Sequence, residues 1–264
     1  SSRRRHTRLL TVTGVQTCAL PIFRLGYNVI HYTLELGEAY VGRRYDAFFS
    51  NTPVDKIFQN RNKVEDVLKE IPGELIIKEF PTGKATIFTI ESHIKKVIDL
   101  GIKPDLIIID YVDLLSTKKR TTDRKGEIDD IYISTKGLAR ELNIPVWSVS
   151  QVNRAGAKDD IVEGDKAAGS YDKIMITDVC ISLSRKRQDK VNGTGRFHIM
   201  KNRYGMDGIT FGIKANTSTG HFEVYDYDEN EEEDSTPSKP QKVIQTIDTF
   251  DKALLKNKFF ELSK

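Results

Sequence analysis

The sequence predicts an α/β protein in which a mostly parallel, twisted sheet is flanked by helices, with antiparallel hairpins at the C-terminal side. From Phe23 onward, short runs rich in β-branched residues alternate with stretches of helical periodicity. The central runs are nearly continuous in apolar residues, which is typical of parallel strands buried on both faces. The last runs are separated by turns such as Tyr204–Gly208 and Asn216–Gly220, which indicate hairpins.

Several short apolar segments are predicted strands. In chain order they are Asn28–Leu34, Leu75–Phe80, Leu106–Asp110, Val146–Ser150, Val179–Ser184, Arg196–Lys201 and Ile209–Lys214. Two helices are predicted from apolar residues at helical spacing. The first is capped by Thr86 and carries Ile87, Ile90, Ile94 and Val97, and the second carries Ile128, Ile131, Leu138 and Leu142. Gly83, in FPTGKATIF, is predicted to lie in a turn between a strand and a helix.

The first 22 residues are interpreted as foreign to the fold. They contain four arginines and no acidic residue, and their apolar residues form no helical stripe. Residues 12–22 match the translation of a common sequencing adapter, and residues 2–8 resemble the translation of the flow-cell primer that precedes it. A basic targeting segment is the competing interpretation. We therefore leave residues 1–22 out of the fold prediction and expect the folded domain over residues 23–225.

The composition changes after Tyr225. Residues 226–264 carry ten acidic and six basic side chains, whereas the whole chain has a net charge of +3. Residues 226–241 are predicted to form an acidic disordered linker, and residues 242–264 an amphipathic helix. That helix either packs on its own domain or docks in a groove of a partner.

Composition also excludes some classes of protein. No apolar run approaches the roughly 20 residues that span a bilayer, so a membrane protein is not expected. The two cysteines, Cys18 and Cys180, are too few for a disulfide framework, which favours a reducing compartment and a cytoplasmic location. The sequence has no zinc-ligand cluster.

Polar side chains follow three of the predicted strands. Asp110 ends one apolar run, while Glu35 and Gln151 follow two others. Ligands of open α/β sheets bind at the carboxyl ends of the strands. There a carboxylate can hold Mg²⁺ through water, a second can activate the attacking water, and an amide can contact phosphate. The competing interpretation is that each is an ordinary polar residue at a strand end.

The segments LIIIDYVDLL and LARELNIPVWSVSQVNR resemble the DnaB-type hexameric replicative helicases, particularly those of phages. HIMKNRYGMDG, residues 198–208, resembles a late hairpin of that family. The resemblance runs from about Tyr27 to Tyr225 and implies a RecA-like ATPase domain, a homo-hexamer, ATP and Mg²⁺ as cofactors, and single-stranded DNA as a partner. It also implies bacterial host cytoplasm for a phage-encoded protein, and primase or another replisome protein as the partner of the C-terminal tail.

The resemblance also implies residue roles. Glu35 would be the catalytic glutamate, Asp110 the magnesium aspartate and Gln151 the phosphate-sensing glutamine. Lys201 and Arg203 would reach the nucleotide of the neighbouring subunit, where a cation stabilises the charge of phosphoryl transfer.

DNA contacts are expected around residues 155–173, which occupy the place of the family's channel-facing loop. The DNA-contacting residues expected there and just before it are Arg154, Lys166, Gly169, Ser170 and Lys173. The basic run at residues 117–125 is either a further contact or a solvated loop.

One feature of the family is missing. The sequence contains no G-x-x-x-x-G-K-[ST] phosphate loop. The family carries this loop just before the strand of the catalytic glutamate, a place that residues 1–22 take here. We therefore expect an N-terminally truncated domain that lacks the first strand and the phosphate loop and does not hydrolyse ATP. Two alternatives stay open: a RecA-type or clock-type ATPase without unwinding activity, and a non-catalytic assembly module.

Overall fold

The computed structural model of the chain describes residues 22–117, 124–150 and 172–227. In these residues the strands form two four-stranded sheets. The parallel sheet has the order β2-β1-β3-β4 and contains β1 (Val29–Thr33), β2 (Leu75–Glu79), β3 (Leu106–Asp110) and β4 (Val146–Ser148). The antiparallel sheet follows chain order with β5 (Val179–Ser184), β6 (Thr194–Asn202), β7 (Thr210–Asn216) and β8 (His221–Asp226). The predicted fold class is thus confirmed.

Four helices connect the parallel strands: α1 (Glu38–Phe49), α2 (Arg61–Lys69), α3 (Ile87–Asp99) and α4 (Arg124–Leu142). Two shorter helices follow the parallel sheet, with α5 (Asp172–Ile176) between β4 and β5 and α6 (Arg187–Asn192) between β5 and β6. Short 3₁₀ turns lie at Val54–Lys56, Phe58–Asn60 and Val112–Leu114. Within the described ranges, no helix is long and apolar enough to cross a membrane.

The predicted start of α3 is confirmed. The Thr86 side chain accepts a hydrogen bond from the Thr89 backbone N–H (3.3 Å), and the Thr89 hydroxyl accepts one from the Thr86 N–H (3.2 Å). These reciprocal bonds satisfy two donors near the helix start. Gly83 lies in the preceding turn with a φ of +71°, a conformation that glycine adopts without steric cost.

The strand β3 explains the continuous apolar run in the sequence. Ile107 and Ile109 pack on one face of the sheet against residues of α3 and α4, and Leu106 and Ile108 pack on the other against α1. Because successive side chains of a strand point to opposite faces, a sheet covered on both faces needs apolar residues at every position.

The structure differs from the prediction at some strand ends. β4 stops at Ser148 rather than Ser150. The Ser148 hydroxyl donates to the Ile109 carbonyl (2.7 Å) and accepts from the Val112 N–H (3.1 Å). At the end of β3 this side chain therefore bonds the backbone in place of a further strand residue. β8 was not predicted, and it pairs with β7 over residues 221–226.

The two sheets meet beside α1. The His221 ring stacks on Phe48 with ring centroids 4.2 Å apart, and the Val54 N–H donates to the Ser218 carbonyl (3.1 Å). The predicted linker and terminal helix lie almost entirely outside the described residues, as does the foreign segment except for Ile22, so those domain boundaries stay predictions.

Candidate nucleotide site at the carboxyl edge of the parallel sheet

Strand register places Glu35 and Asp110 at one edge of the parallel sheet. Thr33, the last residue of β1, pairs with Asp110, the last residue of β3. The Leu34 N–H donates to the Asp110 carbonyl (2.9 Å), so the two chains stay adjacent one residue beyond the strand. Glu35 follows directly. The structure therefore brings these two predicted site residues together.

The environment of Asp110 favours a bound cation. The residue is only 3% exposed, and burial raises its pKa from 3.8 to about 7, with a further increase from the charge of Glu35. Burial therefore favours the protonated carboxyl, and a cation beside it would favour the ionised form.

Asp110 provides an oxygen donor of the kind that Mg²⁺ prefers. In the described part of the chain, no group of three or more His, Cys, Asp or Glu side chains could hold a metal ion. Mg²⁺ usually keeps several waters and binds through one or two carboxylates plus substrate phosphates. Asp110 could supply such a carboxylate.

The turn that carries Glu35 is fixed by side chains that the sequence analysis did not single out. The Thr33 hydroxyl donates to the Leu36 carbonyl (2.7 Å) and accepts from the Leu36 N–H (3.2 Å). The Thr82 hydroxyl donates to the Leu34 carbonyl (2.5 Å). The contact between Thr33 and Leu36 has a local sequence pattern, because a threonine at a strand end commonly bonds the backbone three residues later. The sequence could therefore have revealed it.

A second support joins the start of α1 to the end of β2. The Glu38 carboxylate accepts from the Glu79 N–H (2.7 Å), and the Glu79 carboxylate accepts from the Glu38 N–H (3.1 Å). The hydrogen bond from the Glu79 backbone is the main cause that lowers the pKa of Glu38. Because Glu38 lies three residues after Glu35, this exchange restricts the loop on the other side of the site.

The prediction that Lys173 contacts DNA is corrected by its position. Its side chain is only 3% exposed, and its ammonium lies 3.0 Å from Asp113 Oδ2 and 3.1 Å from Ser150 Oγ. The ammonium also lies 5.6 Å from the ring centroid of Tyr132. In this arrangement Lys173 is a buried ion-pair partner and does not present its charge to a phosphate backbone.

Lys201 and Arg203 lie at the C-terminal end of the antiparallel strand β6. The Lys201 ammonium donates to the carbonyls of Ile174 (2.8 Å) and Met175 (2.7 Å). Arg203 Nη1 lies 3.1 Å from Asp178 Oδ1. Burial and the neighbouring cations Arg203 and Lys136 lower the pKa of Lys201. The contacts described for both cations are thus with α5 and the segment that follows it.

The remaining predicted site residues lie outside the described residues. They are Gln151, Arg154, Lys166, Gly169 and Ser170. Their proposed contacts with phosphate or DNA stay predictions.

Comparisons with known proteins identify the family to which the chain is similar. The family described as the DnaB-like helicase C-terminal domain matches residues 50–223. The DnaB-like replicative helicase of Enterobacteria phage T4 is 22% identical over 204 residues, which are 73% of this chain and 43% of that protein. A probable plasmid replicative DNA helicase of Chlamydia psittaci is 31% identical over 127 residues, which are 46% of this chain and 27% of that protein.

Solved structures show the same fold. One of them, described as an ATPase domain, superimposes with a TM-score of 0.67 at 20% identity, covering 81% of this chain and 80% of that one. A DnaB-like replicative helicase, whose structure was determined together with its interactions with primase, superimposes with a TM-score of 0.65 at 21% identity, covering 80% of this chain and 56% of that one.

This chain therefore spans less than half the length of these two curated relatives. The family match, in contrast, covers more than half of this chain and includes both β3 and the β6–β7 hairpin. The chain belongs to the family of DnaB-like helicase C-terminal domains.

Proposed function

We propose that this chain is a fragment of the ATPase domain of a replicative DNA helicase that translocates on single-stranded DNA as a homo-hexamer and hydrolyses ATP at its subunit interfaces. The observation that carries the proposal is the pair of carboxylates, Glu35 and Asp110, at one sheet edge of a domain of this family. The family match favours this function over a RecA-type or clock-type ATPase and over a non-catalytic assembly module.

The proposed chemistry assigns different work to the two carboxylates. Asp110 would hold Mg²⁺ through water, and Glu35 would orient the attacking water and accept its proton. When bound, the ion would neutralise charge on the phosphates of ATP. Gln151 would contact phosphate from the neighbouring strand end.

The proposed partners follow from the family. Lys201 and Arg203 would stabilise transition-state charge on a nucleotide held by the next subunit. Arg154, Lys166 and the amides of Gly169 and Ser170 would hold the DNA backbone, while Lys173 is left out because it is buried. The acidic tail and terminal helix would bind primase or another replisome protein, in the cytoplasm of a bacterial host.

The test needs a phosphate loop, which the 264 residues do not contain. A strand, phosphate loop and helix taken from a DnaB-like relative would be joined before Phe23 of this chain. We expect this chimera to hydrolyse ATP when single-stranded DNA is added and to unwind a forked duplex. Hydrolysis without unwinding would favour the RecA-type or clock-type ATPase, and a folded chimera without hydrolysis would contradict the proposal.

Mixed oligomers test the roles of individual residues. We expect Glu35→Gln and Arg203→Met chimeras each to be inactive alone. Mixing them should recover part of the hydrolysis, because some interfaces then combine an intact Glu35 with an intact Arg203 from the neighbour. If mixing recovers nothing although both variants assemble, Arg203 does not act in trans.

A further inference from the structure

Helix α5 is short and is held at both ends by long-range contacts. It has five residues, and a helix of that length is not stable in isolation. Its placement must therefore depend on the side chains that bind it. These side chains come from the parallel sheet at one end and from α4 and β6 at the other.

The first contact ties the start of α5 to the end of β3. The Lys173 ammonium, the Asp113 carboxylate and the Ser150 hydroxyl form a closed triangle, since Ser150 Oγ also donates to Asp113 Oδ2 (3.1 Å). Asp113 lies only three residues beyond Asp110, in the 3₁₀ turn that ends β3. The Tyr132 hydroxyl also interacts with Asp113 and Ser150. The side chain of Asp113 is 14% exposed, so the ion pair is shielded from water.

The second set of contacts lies at the other end of α5. Lys201 donates to the carbonyls of Ile174 and Met175, and Lys136 donates to the carbonyl of Ile176 (2.7 Å). Carbonyls in the last turn of a helix lack partners within the helix and carry partial negative charge, so ammonium groups bind them well. The position of α5 therefore determines where the Lys201 ammonium rests.

Arg203 is placed by the residues that follow α5. The Asp178 carboxylate binds both Arg203 Nη1 (3.1 Å) and the Lys136 ammonium (2.6 Å). The backbone N–H of Arg203 also donates to the backbone carbonyl of Asp178 (2.9 Å). Asp178 lies two residues after the end of α5, so a displacement of α5 would move both cations of the hairpin.

We propose that Lys173 is a positioning residue whose ion pair with Asp113 makes α5 a rigid support between the sheet edge of Asp110 and the cations Lys201 and Arg203. This inference rests on the proposed function, in which Asp110 serves the subunit's own nucleotide and the two cations serve the neighbour's. The support would hold the two half-sites of one subunit at a constant separation.

The test measures the reactivity of lysine amines in the full chain with a limiting acetylating reagent, followed by mass spectrometry. Lys201 is protected by two carbonyl contacts, so its labelling reports the position of α5. We expect Lys173→Met to raise the labelling rate of Lys201 by about tenfold. A tenfold change corresponds to about 1.4 kcal/mol in the free energy that protects the Lys201 amine. The matched control is Lys95→Met, which breaks an exposed ion pair with Glu91 on α3 and should leave the labelling of Lys201 unchanged.

A second variant guards against simple unfolding. Asp113→Leu combined with Lys173→Met removes both charges and leaves no unpaired buried ion. We expect it to fold and still to label faster at Lys201. Unchanged labelling of Lys201 in this folded variant would overturn the proposal. Lys173→Arg, which keeps the charge, should restore part of the protection.

Failure of the proposed function would have a different appearance. If Lys201→Met in the phosphate-loop chimera leaves ATP hydrolysis unchanged, Lys201 has no role at the nucleotide of the neighbouring subunit. The labelling result would be unaffected by that outcome. If both proposals hold, Lys173→Met should lower kcat about tenfold with little change in KM, because it displaces a group that acts in the transition state.

Discussion

The Nδ1 atom of His31 lies 2.8 Å from the hydroxyl oxygen of Tyr45, inside the fully buried centre of β1. Burial lowers the pKa of His31 from 6.5 to about 3. The histidine is therefore neutral in the folded protein at neutral pH. Its Nε2 atom has no hydrogen-bond partner in the part of the chain that the structure describes.

His31 should make the protein sensitive to acid. Below pH 6.5 His31 binds a proton in the unfolded chain, whereas in the folded protein it stays neutral until about pH 3. The free energy of unfolding therefore falls as the pH falls through this range. We expect His31→Gln to reduce that slope. Urea denaturation at a series of pH values measures it, with His198→Gln as the control, and an unchanged slope would contradict the prediction.

Asp110 should have the opposite effect on stability. Its pKa is raised from 3.8 to about 7, so the folded protein holds a proton that the unfolded chain releases. The contribution of the protonated Asp110 carboxyl to the free energy of unfolding is complete below pH 3.8 and is lost as the pH rises to about 7. Asp110→Asn should thus stabilise the protein more at pH 8 than at pH 4, by at most about 4 kcal/mol, since one pKa unit corresponds to about 1.4 kcal/mol.

Thermal or urea unfolding of the Asp110→Asn variant and the parent chain at both pH values measures this difference. Asp99→Asn, at an exposed position at the end of α3, is the control and should show no such pH dependence. A difference between Asp110→Asn and the parent that is the same at pH 4 and pH 8 would show that the Asp110 carboxyl is not desolvated.

The buried ion pair should contribute far more to stability than an exposed one. Lys173→Met leaves the Asp113 carboxylate shielded from water without its cation, and breaking a buried pair in this way costs about 3–5 kcal/mol. Lys95→Met breaks a pair whose lysine is 55% exposed, and should cost less than about 1 kcal/mol. Chemical denaturation of the two variants compares them, and equal costs would mean that the Lys173 site is hydrated.

ATP hydrolysis by the chain itself should be absent. The 264 residues contain no G-x-x-x-x-G-K-[ST] motif, the segment whose backbone and lysine bind the β- and γ-phosphates in P-loop enzymes. Phosphate release should stay at the level of buffer with and without single-stranded DNA. Turnover by the purified chain would show that another segment holds the phosphates.

Local patterns predicted several elements to within a residue. β3 and β5 have the predicted bounds, and α3 begins after Thr86. An apolar run and a hydroxyl cap act over a few neighbouring residues, so the local sequence contains what decides them. The end of β4 was missed because it depends on a hydroxyl of Ser148 that bonds residues 36 and 39 positions away.

In the candidate site, too, the local sequence decided some features and the tertiary structure decided the others. The sequence by itself determined that Asp110 ends one strand and that Glu35 follows another, because short apolar runs predict both strands. Strand register, which joins residues far apart in the chain, decided that they are neighbours. Tertiary structure alone decided that Lys173 is buried against Asp113, 60 residues away. A lysine beside a glycine-rich segment has the same local pattern whether it faces DNA or a carboxylate, and only the packing of α5 distinguishes the two.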